Sequence, residues 1–126
     1  MGLFTTAQAR AELDRLRPVL DRIVAVRADA AELAAALRPG GPPTALGGVP
    51  EWKAAQARLD ELMTLVQQTG AELRGLAPLL VDFPAELDGS PVLLCWLEGD
   101  PELSWYHRPD PGFAGRRRLP DDNRPV

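Results

Sequence analysis

Two stretches of apolar residues at the alternating three-four spacing of a heptad, separated by a run of glycine and proline, constrain this chain more than any other feature. The first reads Leu13, Leu16, Leu20, Ile23, Arg27, Ala30, Ala34, Leu37; the second reads Trp52, Ala55, Leu59, Leu62, Val66, Thr69, Leu73, Leu76. Each carries one polar position in eight, so each specifies an amphipathic helix with a continuous apolar stripe. Between them, Pro39-Gly40-Gly41-Pro42-Pro43 cannot continue a helix, and a linker over residues 39–50 lets the chain turn back. The pattern predicts an antiparallel helical hairpin over residues 5–77 with coiled-coil-like packing.

Local signals support both helices. With Thr5 as N-cap, Gln8 falls at N3, the arrangement of a capping box, and Phe4 takes the staple position before the cap. Pro18 lies inside the first helix and is expected to kink or locally break it. Pro50 suits the first turn of the second helix. Pairing Leu37 with Trp52 places Arg27 opposite Leu62, near Asp60 and Glu61, as a register-fixing ion pair. A second stripe, Val19, Val26 and Leu33 with Leu65, is left uncovered by a two-helix pair, and a homodimer that buries it is the economical solution.

After Pro78 the period changes. Leu79–Phe83 reads as a strand stopped by Pro84, Asp88-Gly89-Ser90-Pro91 as a turn, and Val92–Leu97 as a strand apolar on both faces. Glu98-Gly99-Asp100-Pro101 turns the chain again, and Glu102–His107 returns as a third strand. The expected fold is therefore α+β, a helical hairpin followed by a small three-stranded antiparallel meander over residues 79–118. It forms a single domain, with 119–126 as a flexible tail. Alternation puts Leu103, Trp105 and His107 on one face of the third strand and Ser104 and Tyr106 on the other, with His107 at the rim.

Charge and cysteine usage narrow the function classes. Residues 1–78 balance nine basic against nine acidic side chains, whereas residues 79–126 carry five against nine and supply the whole net charge of −4. An acidic chain without a basic face is ill suited to nucleic acid. Arg116-Arg117-Arg118 is the local exception, read as a solvated charge run. No apolar run reaches the roughly 20 residues that span a bilayer, and no signal-peptide layout opens the chain. Met1-Gly2-Leu3-Phe4-Thr5-Thr6 matches the loose acylation pattern only as a short motif. One cysteine excludes an intramolecular disulfide, which suggests a reducing cytoplasm.

Four ordered motifs carry a family resemblance: Val81-Asp82-Phe83-Pro84, Val92-Leu93-Leu94-Cys95-Trp96, Trp105-Tyr106-His107 and Gly112-Phe113-Ala114-Gly115-Arg116. With Leu3-Phe4-Thr5 and Arg17-Pro18, they make the chain similar to the bacterial domain-of-unknown-function family 2203. In that family an aromatic, usually Trp, precedes the histidine, and Tyr106 stands there. The acidic residue after the glycine is usually Glu, and here it is Asp100. The resemblance implies an architecture and a site, but no activity or cofactor.

The candidate ligand pocket comprises His107, Asp82, Arg116, Trp105 and Tyr106. His107 titrates nearest neutrality among the side-chain types present, and Asp82, Asp110 or Glu98 can orient it. Asp82 is flanked by apolar residues; it either accepts backbone N–H bonds near Pro84 or pairs with Arg116. Arg116, His107 and Trp105 together suit a small anion or carboxylate. His107 is also the candidate metal ligand, and a zinc site with Cys95 needs carboxylates to complete it. A Cys95–His107 nucleophilic pair is the weaker alternative, because a buried thiol stays protonated. The leading expectation is a non-catalytic binding or assembly module that homodimerises through its helices or docks a protein partner. The alternative is a small enzyme or metal- or anion-binding protein centred on His107.

Overall fold

The computed structural model describes residues 2–120. In chain order the elements are α1 (Thr6–Leu37), α2 (Val49–Gln67), β1 (Glu72–Leu76), β2 (Leu79–Leu87), β3 (Ser90–Leu97), β4 (Trp105–His107), a 3-10 turn (Gly112–Gly115) and β5 (Arg117–Arg118). The fold is α+β, as expected, but the antiparallel sheet has five strands in sequential order rather than three. The chain forms two compact units, a helical unit (residues 16–68) and a β unit (residues 2–15 with 69–120).

The helical unit packs most of α1 against α2. Leu16, Leu20, Ile23, Val26, Ala30 and Leu33 are buried on one helix, and Leu59, Leu62 and Val66 on the other. The expected seam holds as far as Ile23 and then moves to Val26, Ala30 and Leu33; Arg27 is half-buried, Ala34 exposed, and Leu37 41% exposed. Positions three and four after Ile23 and Ala30 border the same helix face, and the larger apolar Val26 and Leu33 fill it in preference to Arg27, which would have to be desolvated, and Ala34. Val26 and Leu33 are thus buried within the single chain, and of the expected second stripe Leu65 remains exposed. α1 is also continuous through Pro18, whose ring faces solvent, rather than broken there.

Both helix starts follow local chemistry. The Thr5 N–H donates to Gln8 Oε1 at 2.9 Å while the Gln8 N–H donates to Thr5 Oγ1 at 3.0 Å, closing the capping box. At α2, Glu51 accepts the Gly48 N–H at 2.7 Å. The second helix does not run to residue 77. It ends at Gln67, and Gly70, at φ 94°, takes the left-handed conformation that turns the chain out of the helix. Leu73 and Leu76 belong to β1, although their spacing continues the helical series.

β2 and β3 form a long hairpin from Leu80↔Leu97 to Leu87↔Ser90, closed by Asp88 (φ 52°) and Gly89 (φ 80°), the double positive-φ pair of a two-residue turn. β2 passes through Pro84 instead of stopping there. The Pro84 carbonyl accepts the Phe4 N–H at 2.8 Å, on the side away from β3, so its ring nitrogen also faces that outer edge and no ladder bond is lost. Phe4 seals this edge through a parallel bridge to Ala85 and an edge-on ring contact with Phe83 at 5.3 Å. The face bearing Val81, Phe83, Ala85, Val92, Leu94 and Tyr106 is buried, as are Ala9 and Leu13 of α1. Each large apolar side chain so enclosed stabilises by about 1.5–3 kcal/mol.

Arg117 and Arg118 are not a free charge run. They form edge strand β5, pairing with Tyr106 and Trp105, and Leu119 donates its N–H to Ser104 at 2.8 Å. The remainder of the expected tail, residues 121–126, lies outside the described residues.

Candidate functional site

The second face of the sheet carries the chemistry. Strand alternation puts Asp82 of β2, Cys95 of β3 and His107 of β4 on that face, opposite Val81, Leu94 and Tyr106. Asp82 is directly across from Cys95, and His107 across from Leu93, one strand position along. Asp82, Cys95 and His107 are 2%, 0% and 4% exposed, so the imidazole is buried rather than placed at a rim. One carboxylate oxygen, the thiol sulfur and one ring nitrogen all lie within 4.8 Å of one another.

Hydrogen bonding orients the histidine. Nδ1 lies 3.0 Å from the Arg108 carbonyl, which only accepts, so Nδ1 carries a hydrogen. Nε2 then points inward to Asp82 Oδ2 at 3.1 Å. A hydrogen must lie on that contact too, held by one partner or the other. Burial raises the Asp82 pKa above the usual carboxylate range, against the opposing pull of His107, Cys95 and Arg74. Asp82 Oδ1 is buried with no hydrogen-bond partner among the described residues. Burial and the neighbouring Asp82 charge push the Cys95 thiol up to about 12, so it is protonated at neutral pH.

The pair opens onto a cavity of about 290 Å³ lined by Arg74, Leu80, Asp82, Leu93, His107, Pro109, Gly112 and Phe113. Arg108-Pro109-Asp110-Pro111-Gly112 leaves the sheet after β4 and brings Phe113 back over it. Gly112 sits at φ 63°, a conformation a side chain would resist. Arg74 stands at a register irregularity between Leu73 and Gly75, with Nε 3.7 Å from Asp82 Oδ2 and an ion pair to Glu72. It is the charged lining residue that the expected pocket lacks, because the helical spacing of Leu73 and Leu76 hides β1; the apolar walls Leu80, Leu93, Pro109 and Phe113 are absent from that expectation too. Gly70 was the available signal.

The structure brings His107 and Asp82 together and places the other three candidates elsewhere. Arg116 pairs with Asp100 at 2.6 Å, not with Asp82. Its guanidinium stacks 4.5 Å from the Trp105 ring centroid and 5.2 Å from Phe113, so its charge and its faces are already engaged. Asp100 also accepts the Leu97 N–H at 3.0 Å, and its carbonyl accepts the Trp96 indole N–H at 2.8 Å, making it the anchor of this corner. Tyr106 is buried on the opposite face.

Fold and site together define an α+β protein with a carboxylate–imidazole–thiol cluster buried beneath a cavity on its sheet. The chain belongs to the family described as uncharacterized conserved protein (DUF2203), whose profile matches residues 2–119. No curated protein matches the chain, and no solved structure does. No helix among the described residues is long and apolar enough to cross a membrane.

Proposed function

We propose that the β unit binds a small molecule in this cavity, its polar end meeting the Asp82–His107 pair. The supporting observation is that this buried pair forms the polar floor of an opening otherwise walled largely by Leu80, Leu93, Pro109 and Phe113. Apolar walls with a few convergent polar groups are the usual form of a ligand site, and a displaced carboxyl pKa adds weight. At ~30 Å³ per water the space corresponds to roughly ten waters, a metabolite-sized compound. A pair that holds one hydrogen between two bases can also pass it to or from a bound compound, so catalysis is the extension of this reading. The free buried cysteine favours a cytoplasmic setting.

The test is a ligand-observed NMR screen of the full chain against small polar metabolites, repeated on Leu93→Trp to fill the cavity. Hits lost in the variant, with its melting transition retained, support the site. Hits that bind both proteins equally overturn it.

A second reading is a homodimerising assembly module using the helical unit, where Leu37, Leu46, Val49 and Leu65 are each about 40% exposed or more. Light scattering at tens of micromolar tests it: a dimer dissociated by Leu65→Arg supports it, and a monomer at every concentration removes it.

A further inference from the structure

We propose that Asp82, Cys95 and His107 are three ligands of a single zinc-class divalent ion whose fourth coordination position faces the cavity. The inference rests on reading that cavity as a ligand site, and it names the group to which the ligand's polar end would attach.

Three observations converge. First, the donors are one oxygen, one sulfur and one nitrogen, drawn from three adjacent strands, mutually within 4.8 Å and shielded from bulk water. Bonds of about 2.0–2.3 Å in a tetrahedral site hold ligand atoms roughly 3.3–3.8 Å apart, so only small side-chain shifts close this set on an ion. Second, His107 is held as metal-binding histidines are held. Its Nδ1–H donates to the Arg108 carbonyl at 3.0 Å, which fixes the ring and aims the Nε2 lone pair into the cluster. Third, among the described residues Asp82 Oδ1 has no hydrogen-bond partner, in a side chain 2% exposed. An unsatisfied carboxylate oxygen there is costly, and a cation at the cluster supplies the missing interaction.

The donor set also selects the ion. Thiolate and imidazole suit zinc and its transition-metal neighbours, not calcium or magnesium, which take oxygen. As carboxylate, thiolate and neutral imidazole, the three ligands carry two negative charges and match a divalent ion; coordination releases two protons to solvent, the thiol's and the one held between Asp82 and His107. Three protein ligands with an open position distinguish a reactive zinc site from a closed structural one. Asp82 and His107 line the cavity, so a small molecule held there meets the ion directly.

The chain has one cysteine and one histidine, which makes the experiment unambiguous. Full-length protein is stripped with chelator and titrated with cobalt(II). The expected result is one equivalent bound, intense visible absorption of a four-coordinate ion, and a near-ultraviolet thiolate-to-cobalt band that only Cys95 can supply. Zinc should displace the cobalt. Cys95→Ala and His107→Ala should each weaken zinc at least tenfold, and Cys95→Ala should abolish the charge-transfer band. Cobalt binding without that band, or binding unchanged by Cys95→Ala, overturns the site, as does no binding at micromolar metal. If the variants do not fold, the wild-type spectrum decides. If cavity ligands bind the protein but adding cobalt gives no band, the metal site alone is overturned. A band from protein that binds no small molecule overturns the cavity reading alone.

Discussion

The helical unit and the β unit are built on opposite principles. Among the described residues, every buried side chain in the helical unit is apolar, whereas the β unit encloses Asp82, Ser104 and His107. A helical pair that buries only Leu, Ile, Val and Ala follows from non-directional transfer of surface out of water. An ionisable pair inside a sheet forfeits solvation that its mutual attraction only partly returns. The helical unit is therefore organised for stability, while the β unit carries a cost that folding alone does not require.

The contrast is sharpest at His107. Removing one member of a buried pair strands the other, so His107→Ala should destabilise by about 3–5 kcal/mol in denaturant titration. Combined replacement of Asp82 and His107 by leucines should cost far less than the two single losses together. Additive losses would mean that the pair is not an energetic unit. In the helical unit, Leu20→Ala leaves a simple cavity and should cost about 2–5 kcal/mol, and Leu20→Met under about 1.5. A milder effect of Leu20→Ala would show that the helical core collapses readily around gaps.

Arg116→Ala should cost about 1.5–3 kcal/mol, since it removes a charge-assisted bond to Asp100 and the stack on Trp105. If cavity ligands still bind Arg116→Ala, the arginine corner is structural and separate from the site. The smallest effect is in pH dependence. The Asp82 pKa is raised in the native state, so between roughly pH 4 and that native value the unfolded chain gives up the proton first. The native state then binds more protons, and its stability declines as pH climbs. Asp82→Asn has no such proton, so its stability relative to wild type should improve across that window in melts at stepped pH. A constant difference would refute the raised value.

What could be read from the chain divides along the same line. The capping box at Thr5 and Gln8 and the stripe from Leu13 to Ile23 were legible because they depend on residues three or four apart. β1 was not, because Leu73 and Leu76 keep a helical interval while their partners Val81 and Leu79 lie across a turn. Arg118 likewise reads as solvated until Trp105 is known to lie beside it. The Asp82–His107 encounter could be suspected from an acid among apolar neighbours and a lone imidazole. That Arg116 would choose Asp100 could not, since only the folded turn after β3 decides which carboxylate it reaches.

The Phe4 bridge has a consequence for how the molecule is assembled. Phe4 emerges during synthesis some eighty residues before Ala85, so one end of the sheet waits on a contact of very long sequence separation. Until it closes, β2 beyond Asp82 offers an unpaired strand border to any neighbouring chain. The opening residues are already made by then, so they serve as a selvedge that hems this border once β2 takes shape.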